Sequence, residues 1–130
     1  MREPVVFPDA EKAVIEYLAP VLAAYDPDVP MDVRGAGPRF VRVRRIGGAE
    51  DDVAHDHPSL DVLVWHDTDR SRMALAMVLW GALRAADGDT TSEAVLVYRD
   101  TMLGPRQTPD PADDTKTVCL FTVTLLVRAR

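Results

Sequence analysis

The chain has 130 residues, of which 47% are hydrophobic and 28% charged, and its net charge is −6. This length predicts one domain with a core of its own, and the negative charge argues against a general attraction to DNA, RNA or an anionic membrane. The single cysteine, Cys119, excludes an internal disulfide and a cysteine-based zinc cage, so we interpret it as a small buried apolar residue.

The chain also lacks the sequence features of a membrane or secreted protein. No apolar stretch approaches the roughly 20 residues that a membrane span needs, and the N-terminus lacks the apolar region of a secretory signal. We therefore expect a soluble, intracellular protein.

The first predicted element is a helix over residues 9–25. Pro8 and Asp9 are typical of a helix start, and apolar residues then recur at helical spacing. Pro20 lies inside the pattern and predicts a kink or a split, because proline has no N–H to donate to the preceding turn.

A β-hairpin that pairs residues 31–34 with 39–46 is predicted next, around the turn sequence GAGP. Because strand side chains alternate, Val41 and Val43 should enter the core while Phe40, Arg42 and Arg44 share the other face. A row of arginines beside an aromatic residue suits either docking on a protein or nucleic-acid binding, and both roles stay open at this point.

A long polar loop over 47–58 should lead to a strand over 59–67 that is covered on both faces. A second helix is predicted over 68–86. Its middle, MALAMVLWGAL, is apolar nearly all round, which predicts burial on every side, in part by another subunit.

The chain should close with a strand over 92–100, an irregular connection over 101–116 that is too long for a hairpin turn, and a last strand over 117–128. These elements predict a single α+β domain over 1–130, with a mainly antiparallel sheet of about five strands and two main helices in the order α-β-β-β-α-β-β.

Motifs for chemistry are sparse. His55, Asp56 and His57 are the best candidate metal ligands, but their spacing matches no closed zinc pattern, so we interpret them as part of a solvated loop. No serine lies in a nucleophile motif, and GAG lacks the later glycine and helix of a phosphate loop. We expect no catalytic residues, no metal and no cofactor.

Taken together, the segments resemble the tail terminator proteins of long-tailed phages, in the branch found in phages and prophages of actinobacteria. The resemblance covers nearly the whole chain, and its most specific parts are the basic strand RFVRVRRIGG and the acid-proline segment PDPADD. It is also carried by FPDAEKAVIEYL, DHPSLDVLVWH, RSRMALAMVLWGALRA and FTVTLLVRA. The loop GAEDDVAHDH is more acidic and richer in histidine than this resemblance implies.

The resemblance implies a structural virion protein at the head-proximal end of the tail, assembled in the bacterial cytoplasm. Such a protein forms a hexameric ring that caps the tail tube, stops its polymerisation and offers a surface to head completion proteins, while DNA passes through without specific binding. We predict that the subunit or tube interface includes Phe40, Arg42, Arg44, Arg45, Trp65, Pro109, Asp110 and Pro111.

Two other functions stay open. One is another head–tail connector or tail-tube component of similar fold. The other is a small metal-dependent enzyme that uses His55, Asp56 and His57.

Overall fold

The described residues fold into one antiparallel sheet with two helices. A computed structural model describes residues 3–4, 6–31, 37–50 and 55–130. The sheet order is β1-β2-β5-β4-β3, which confirms the predicted α+β class with five antiparallel strands. The elements are α1 (Ala10–Tyr25), β1 (Phe40–Glu50), β2 (Asp56–Trp65), α2 (Asp69–Arg84), β3 (Asp87–Thr90), β4 (Ala94–Asp110) and β5 (Asp113–Ala129).

Helix α1 begins where the sequence predicts. The Asp9 side chain accepts a hydrogen bond from the Lys12 amide at 3.1 Å, which caps an otherwise unpaired donor of the first turn. Pro20 does not split the helix, which continues to Tyr25. Its buried stripe, which includes Val14, Leu18 and Leu22, packs in the core.

Helix α2 is capped in the same way by Thr68, whose hydroxyl accepts from the Ser71 amide at 3.0 Å. Within the single chain, α2 is not buried on every side, and the predicted cover of part of it by another subunit stays a prediction. Leu75, Leu79 and Leu83 are buried, but Met77 is 48% exposed and Gly81 is exposed as well. Sequence alone overestimated the burial because small and flexible apolar residues occupy the solvent side of this helix.

The core lies between the helices and one face of the sheet. Val41 and Val43 are 0% and 2% exposed, which confirms the alternation predicted for the basic strand. Phe121 and Leu125 of β5 lie on the same face and are fully buried. Cys119 is buried too, and this burial raises the pKa of its thiol.

Most of the first strand of the predicted hairpin, 31–34 with 39–46, lies outside the described residues, because the structure does not describe residues 32–36. In the described part, β1 pairs with β2, and Met31 meets Val41 through a parallel bridge, which differs from the antiparallel pairing predicted. The predicted polar loop over 47–58 is also largely strand, because β1 runs to Glu50 and β2 begins at Asp56. Residues 51–54 of that loop lie outside the description.

The predicted irregular connection over 101–116 is wrong as well. Strands β4 and β5 form a long hairpin that turns through Pro111 and Ala112. Register shifts between Tyr98 and Asp100 and between Leu103 and Arg106 absorb the residues that suggested a loop. Beyond its pairing with β3, β4 is an edge strand, and bulges of this kind accommodate glycine and proline there. Composition alone therefore did not indicate a strand.

Composition also hides a short strand, β3, that the sequence did not predict. Strand β3, with sequence DGDT, has the composition of a turn and pairs only with the start of β4. The described order is therefore α-β-β-α-β-β-β, whereas the sequence predicted one more strand before α2 and one fewer after it.

The bulge in β1 gives a first testable prediction. Gly48 has φ +144°, and a Cβ added there would lie 2.4 Å from the His57 carbonyl oxygen. Gly48→Ala should therefore lower the free energy of unfolding by more than about 1 kcal/mol, because the clash adds to the backbone strain. Gly81→Ala in exposed helix has no such neighbour and should raise it by about 1 kcal/mol. Urea unfolding of both variants checks this, and equal effects would contradict the close approach of β1 to β2 at this bulge.

Candidate functional site

A cavity of about 790 Å³ lies at the end of the sheet where β1 begins, β2 ends and the β4–β5 hairpin turns. We call it the sheet-end cavity. It brings together four residues predicted as interface from the sequence, namely Phe40, Arg42, Trp65 and Asp110. Pro109 lines a smaller adjoining pocket, and Pro111 is exposed in the hairpin turn.

An aromatic pair forms one wall of the sheet-end cavity. Phe40 and Trp65 are directly opposite across β1 and β2, and their rings stack with centroids 4.1 Å apart and an interplanar angle of 13°. The Trp65 Nε1–H donates to Asp110 Oδ2 at 2.7 Å. This hydrogen bond ties the hairpin to the end of β2.

Asp110 is held from both sides. The residue is only 8% exposed, and the second oxygen of its carboxylate accepts from the Ala112 amide at 2.9 Å in the hairpin turn. Both carboxylate oxygens are therefore occupied by donors within the chain. Asp110 acts as a structural link in the cavity wall, and its charge is partly satisfied there.

Another part of the cavity lining is built around Arg72 of α2, which is 8% exposed. Its guanidinium donates to the His66 carbonyl at 2.9 Å, to Gln107 Oε1 at 3.1 Å and to the Asp69 carboxylate. Gln107 in turn donates to the Asp69 carbonyl at 2.8 Å. These bonds fasten β4 to the start of α2, and the ion pair with Asp69 offsets the charge of the buried Arg72.

His66 continues the network. Its Nδ1 accepts from the Asp67 amide at 2.8 Å, so Nε2 carries the hydrogen that is donated to the Asp26 carboxylate at 3.0 Å. Asp26 is the C-terminal cap of α1. His66 therefore connects the end of α1 to the cavity wall.

The acids of the cavity are matched within the chain, whereas two of its cations are not. Arg39 binds both oxygens of Asp67 at 2.9 and 2.5 Å, which lowers the pKa of that carboxyl. Arg42 and Lys116 form no ion pair with any described residue. The pKa of Asp113 is lowered mainly by hydrogen bonds from Thr115 and less by the charge of Lys116. The cavity thus offers an aromatic wall beside two available cations.

The other arginines of the basic strand are engaged inside the chain. Arg44 Nη2 contacts the buried Asp61 at 3.0 Å, and Arg45 binds both oxygens of the buried Asp56 at 2.5 and 2.8 Å. Asp61 also accepts from the Thr122 hydroxyl at 2.6 Å. Of the four arginines in this stretch, Arg42 is the one whose charge has no partner among the described residues.

Arg106 lies in β4 near the site, although it does not line the sheet-end cavity. It occupies a cross-strand row with Leu120, Leu63 and Arg42, and one of its guanidinium nitrogens is buried with no hydrogen-bond acceptor in the described chain. A buried donor of this kind is costly when it is unpaired. Arg106 and Lys116 were missed because both lie in the segment interpreted as an irregular connection, and no sequence signal placed them on strands.

The histidine-containing segment is not a solvated loop. Asp56 and His57 lie in β2 and are 4% and 9% exposed, and Arg45 occupies both carboxylate oxygens of Asp56. His55 precedes the strand. In the described ranges, no group of three or more histidine, cysteine, aspartate and glutamate side chains is arranged to hold a metal ion.

Comparisons with known proteins leave the resemblance as a proposal. No protein-family model matches the chain, and no curated protein is similar enough to indicate a relationship. Within the described residues, no helix is long and apolar enough to span a membrane.

Proposed function

We propose that this chain is a structural virion protein that forms a hexameric ring on the head-proximal end of a phage tail tube. The ring stops tube polymerisation and presents a surface for head joining. The observation that carries the proposal is the sheet-end cavity, in which Phe40, Arg42, Trp65 and Asp110 converge. These are residues of the two segments on which the resemblance is most specific, together with the tryptophan of β2.

The chemistry of the cavity suits protein docking. Stacked aromatic rings provide apolar contact area, and aromatic and arginine side chains are the residues that most often dominate binding energy at interfaces. The planar donor fork of Arg42 matches a carboxylate from a partner. The internal acids are already bound by Arg39 and Trp65, so an incoming acidic group would meet attraction from Arg42 and Lys116.

The remaining geometry is consistent with a docking protein. Strand β4 extends well beyond β3, and Met102 and Leu103 on this extension are 55% and 53% exposed. Exposed apolar side chains on a long hairpin provide contact area for a partner. A related connector or tube component could use the same surface, and we keep it as an alternative within the same class.

The charge of the chain suits a passage for DNA. Its net charge is −6, so a ring of six copies carries a strongly negative total that repels DNA and disfavours trapping it. The Arg45–Asp56 pair removes a carboxylate that the metal-enzyme alternative needs, so this alternative receives no support from the site.

The proposal is tested by the mass of the protein in solution and by electron microscopy of the protein mixed with tail tubes. We expect six-fold rings, either free or at one end of each tube. A protein that stays monomeric and leaves both tube ends bare at saturating concentration would contradict the proposal.

A further inference from the structure

The two edges of the sheet differ in charge. Strand β3 forms one edge, and its sequence DGDT carries Asp87 and Asp89 with no basic residue. Both acids are exposed, and neither forms an ion pair with any described residue. Strand β1 forms the opposite edge, and the sheet-end cavity with Arg42 lies beside its first residues.

This arrangement suits contact between copies in one direction. The acidic edge and the cationic cavity lie on different surfaces of the same chain. Each copy can therefore bind one neighbouring copy through its acidic edge and another through its cavity. Such head-to-tail contacts close into rings when the rotation between copies permits. Like-with-like contact would instead bring equal charges together, which disfavours a two-fold dimer through either surface.

We propose that Asp87 and Asp89 of one copy dock in the sheet-end cavity of a second copy, where they contact Arg42 and Lys116. This inference rests on the proposed ring and names the surfaces that would build it. The occupant is the short β3 edge of another copy, and the Phe40–Trp65 stack supplies apolar contact next to the ion pairs.

The contact is made by side chains, because the backbone of the β1 edge is partly occupied. The Val41 amide donates to the Pro30 carbonyl at 3.0 Å, and the Arg45 amide donates to the Glu11 carboxylate at 2.7 Å. These bonds block the pairing of another strand along β1. On the other edge, β3 has only four residues, which is too short for an extended ladder.

A charge exchange tests this contact. One variant carries Arg42→Glu and Lys116→Glu, and the other carries Asp87→Lys and Asp89→Lys. Each variant alone brings like charges together at every contact between copies, so we expect each to lose the ring and to stay monomeric. Mixed in equal amounts, the two variants present opposite charges at both contacts, and we expect alternating rings of wild-type mass.

Two control variants change the net charge by the same amount as the test variants, but at residues outside the proposed contact. Arg70→Glu with Arg99→Glu reverses two exposed arginines outside the cavity, and Glu3→Lys with Asp28→Lys reverses two exposed acids outside β3. Both controls should form rings as the wild type does. Thermal unfolding of the two charge-reversal variants and the two controls should be close to that of the wild type, since the changed residues are exposed. Asp89→Lys also removes the acceptor of the Asp87 amide, which should cost no more than about 1 kcal/mol at this exposed position.

The outcomes separate this inference from the proposed function. If the wild type forms rings and the mixture of variants does not, or if either variant alone still forms rings, the β3–cavity contact is wrong and the ring proposal stands. If the wild type forms no ring with or without tubes, both fail. The contact is supported if neither variant forms rings by itself and the mixture of the two does.

Discussion

Phe121→Ala should lower the free energy of unfolding by about 3–5 kcal/mol, because it removes a large buried side chain and protein cores relax only partly around such a gap. Phe121 lies in β5, opposite Val62, and is 0% exposed. Single domains are stable by about 5–15 kcal/mol in total, so this variant should be close to the limit of folding. Urea unfolding followed by circular dichroism measures the loss.

The control for this variant is Leu103→Ala in β4. Leu103 is 53% exposed, so its truncation should change the free energy of unfolding by less than about 0.5 kcal/mol. Similar losses in the two variants would show that the sheet face buried beneath the helices has been assigned wrongly.

Arg45→Met should lower the free energy of unfolding by about 2–3 kcal/mol, because it leaves the buried carboxylate of Asp56 without its cation. Arg45 donates two hydrogen bonds to Asp56, whose side chain is 6% exposed. This loss of unfolding free energy is smaller than for a fully buried ion pair, because the Arg45 side chain is itself 38% exposed and water partly screens its charge.

Arg42→Met is the matched control, since it makes the same substitution in the same strand. Arg42 is exposed and has no ion pair in the described chain, so the free energy of unfolding should change by less than about 0.5 kcal/mol. If both arginine variants unfold at the same urea concentration, the division of the basic strand into fold-stabilising and available arginines is wrong.

Local patterns in the sequence predicted the parts of the fold that depend on local physics. The two helices begin close to the predicted positions, residues 9 and 68, where the side chains of Asp9 and Thr68 cap the first turn. Val41 and Val43 alternate with charged residues, and this period of two places them in the core.

The failures concern pairings between distant segments. Gly104, Pro105 and Pro109 suggested a loop, but the bulged pairing of β4 with β5 accommodates them in a strand. The segment at Asp56 appeared polar and solvated because nothing local shows that Arg45 neutralises it across the β1–β2 pair.

The candidate site was predicted in part. Phe40, Arg42, Trp65 and Asp110 were all named from the sequence, and the structure brings them to one cavity. The Trp65–Asp110 hydrogen bond joins residues 45 positions apart, so no local pattern predicts it. Lys116 joins the site only through the register of the β4–β5 hairpin, which composition obscured.

The length of tail tubes grown with and without this protein tests the central claim most directly. We expect that adding the protein to polymerising tube subunits stops elongation and leaves a ring at one end of each tube, as seen by electron microscopy. The Arg42→Glu, Lys116→Glu variant should leave elongation unchecked, whereas the Arg70→Glu, Arg99→Glu control should stop it. Tubes that lengthen at the same rate with and without the wild-type protein, and whose ends stay bare, would contradict the account.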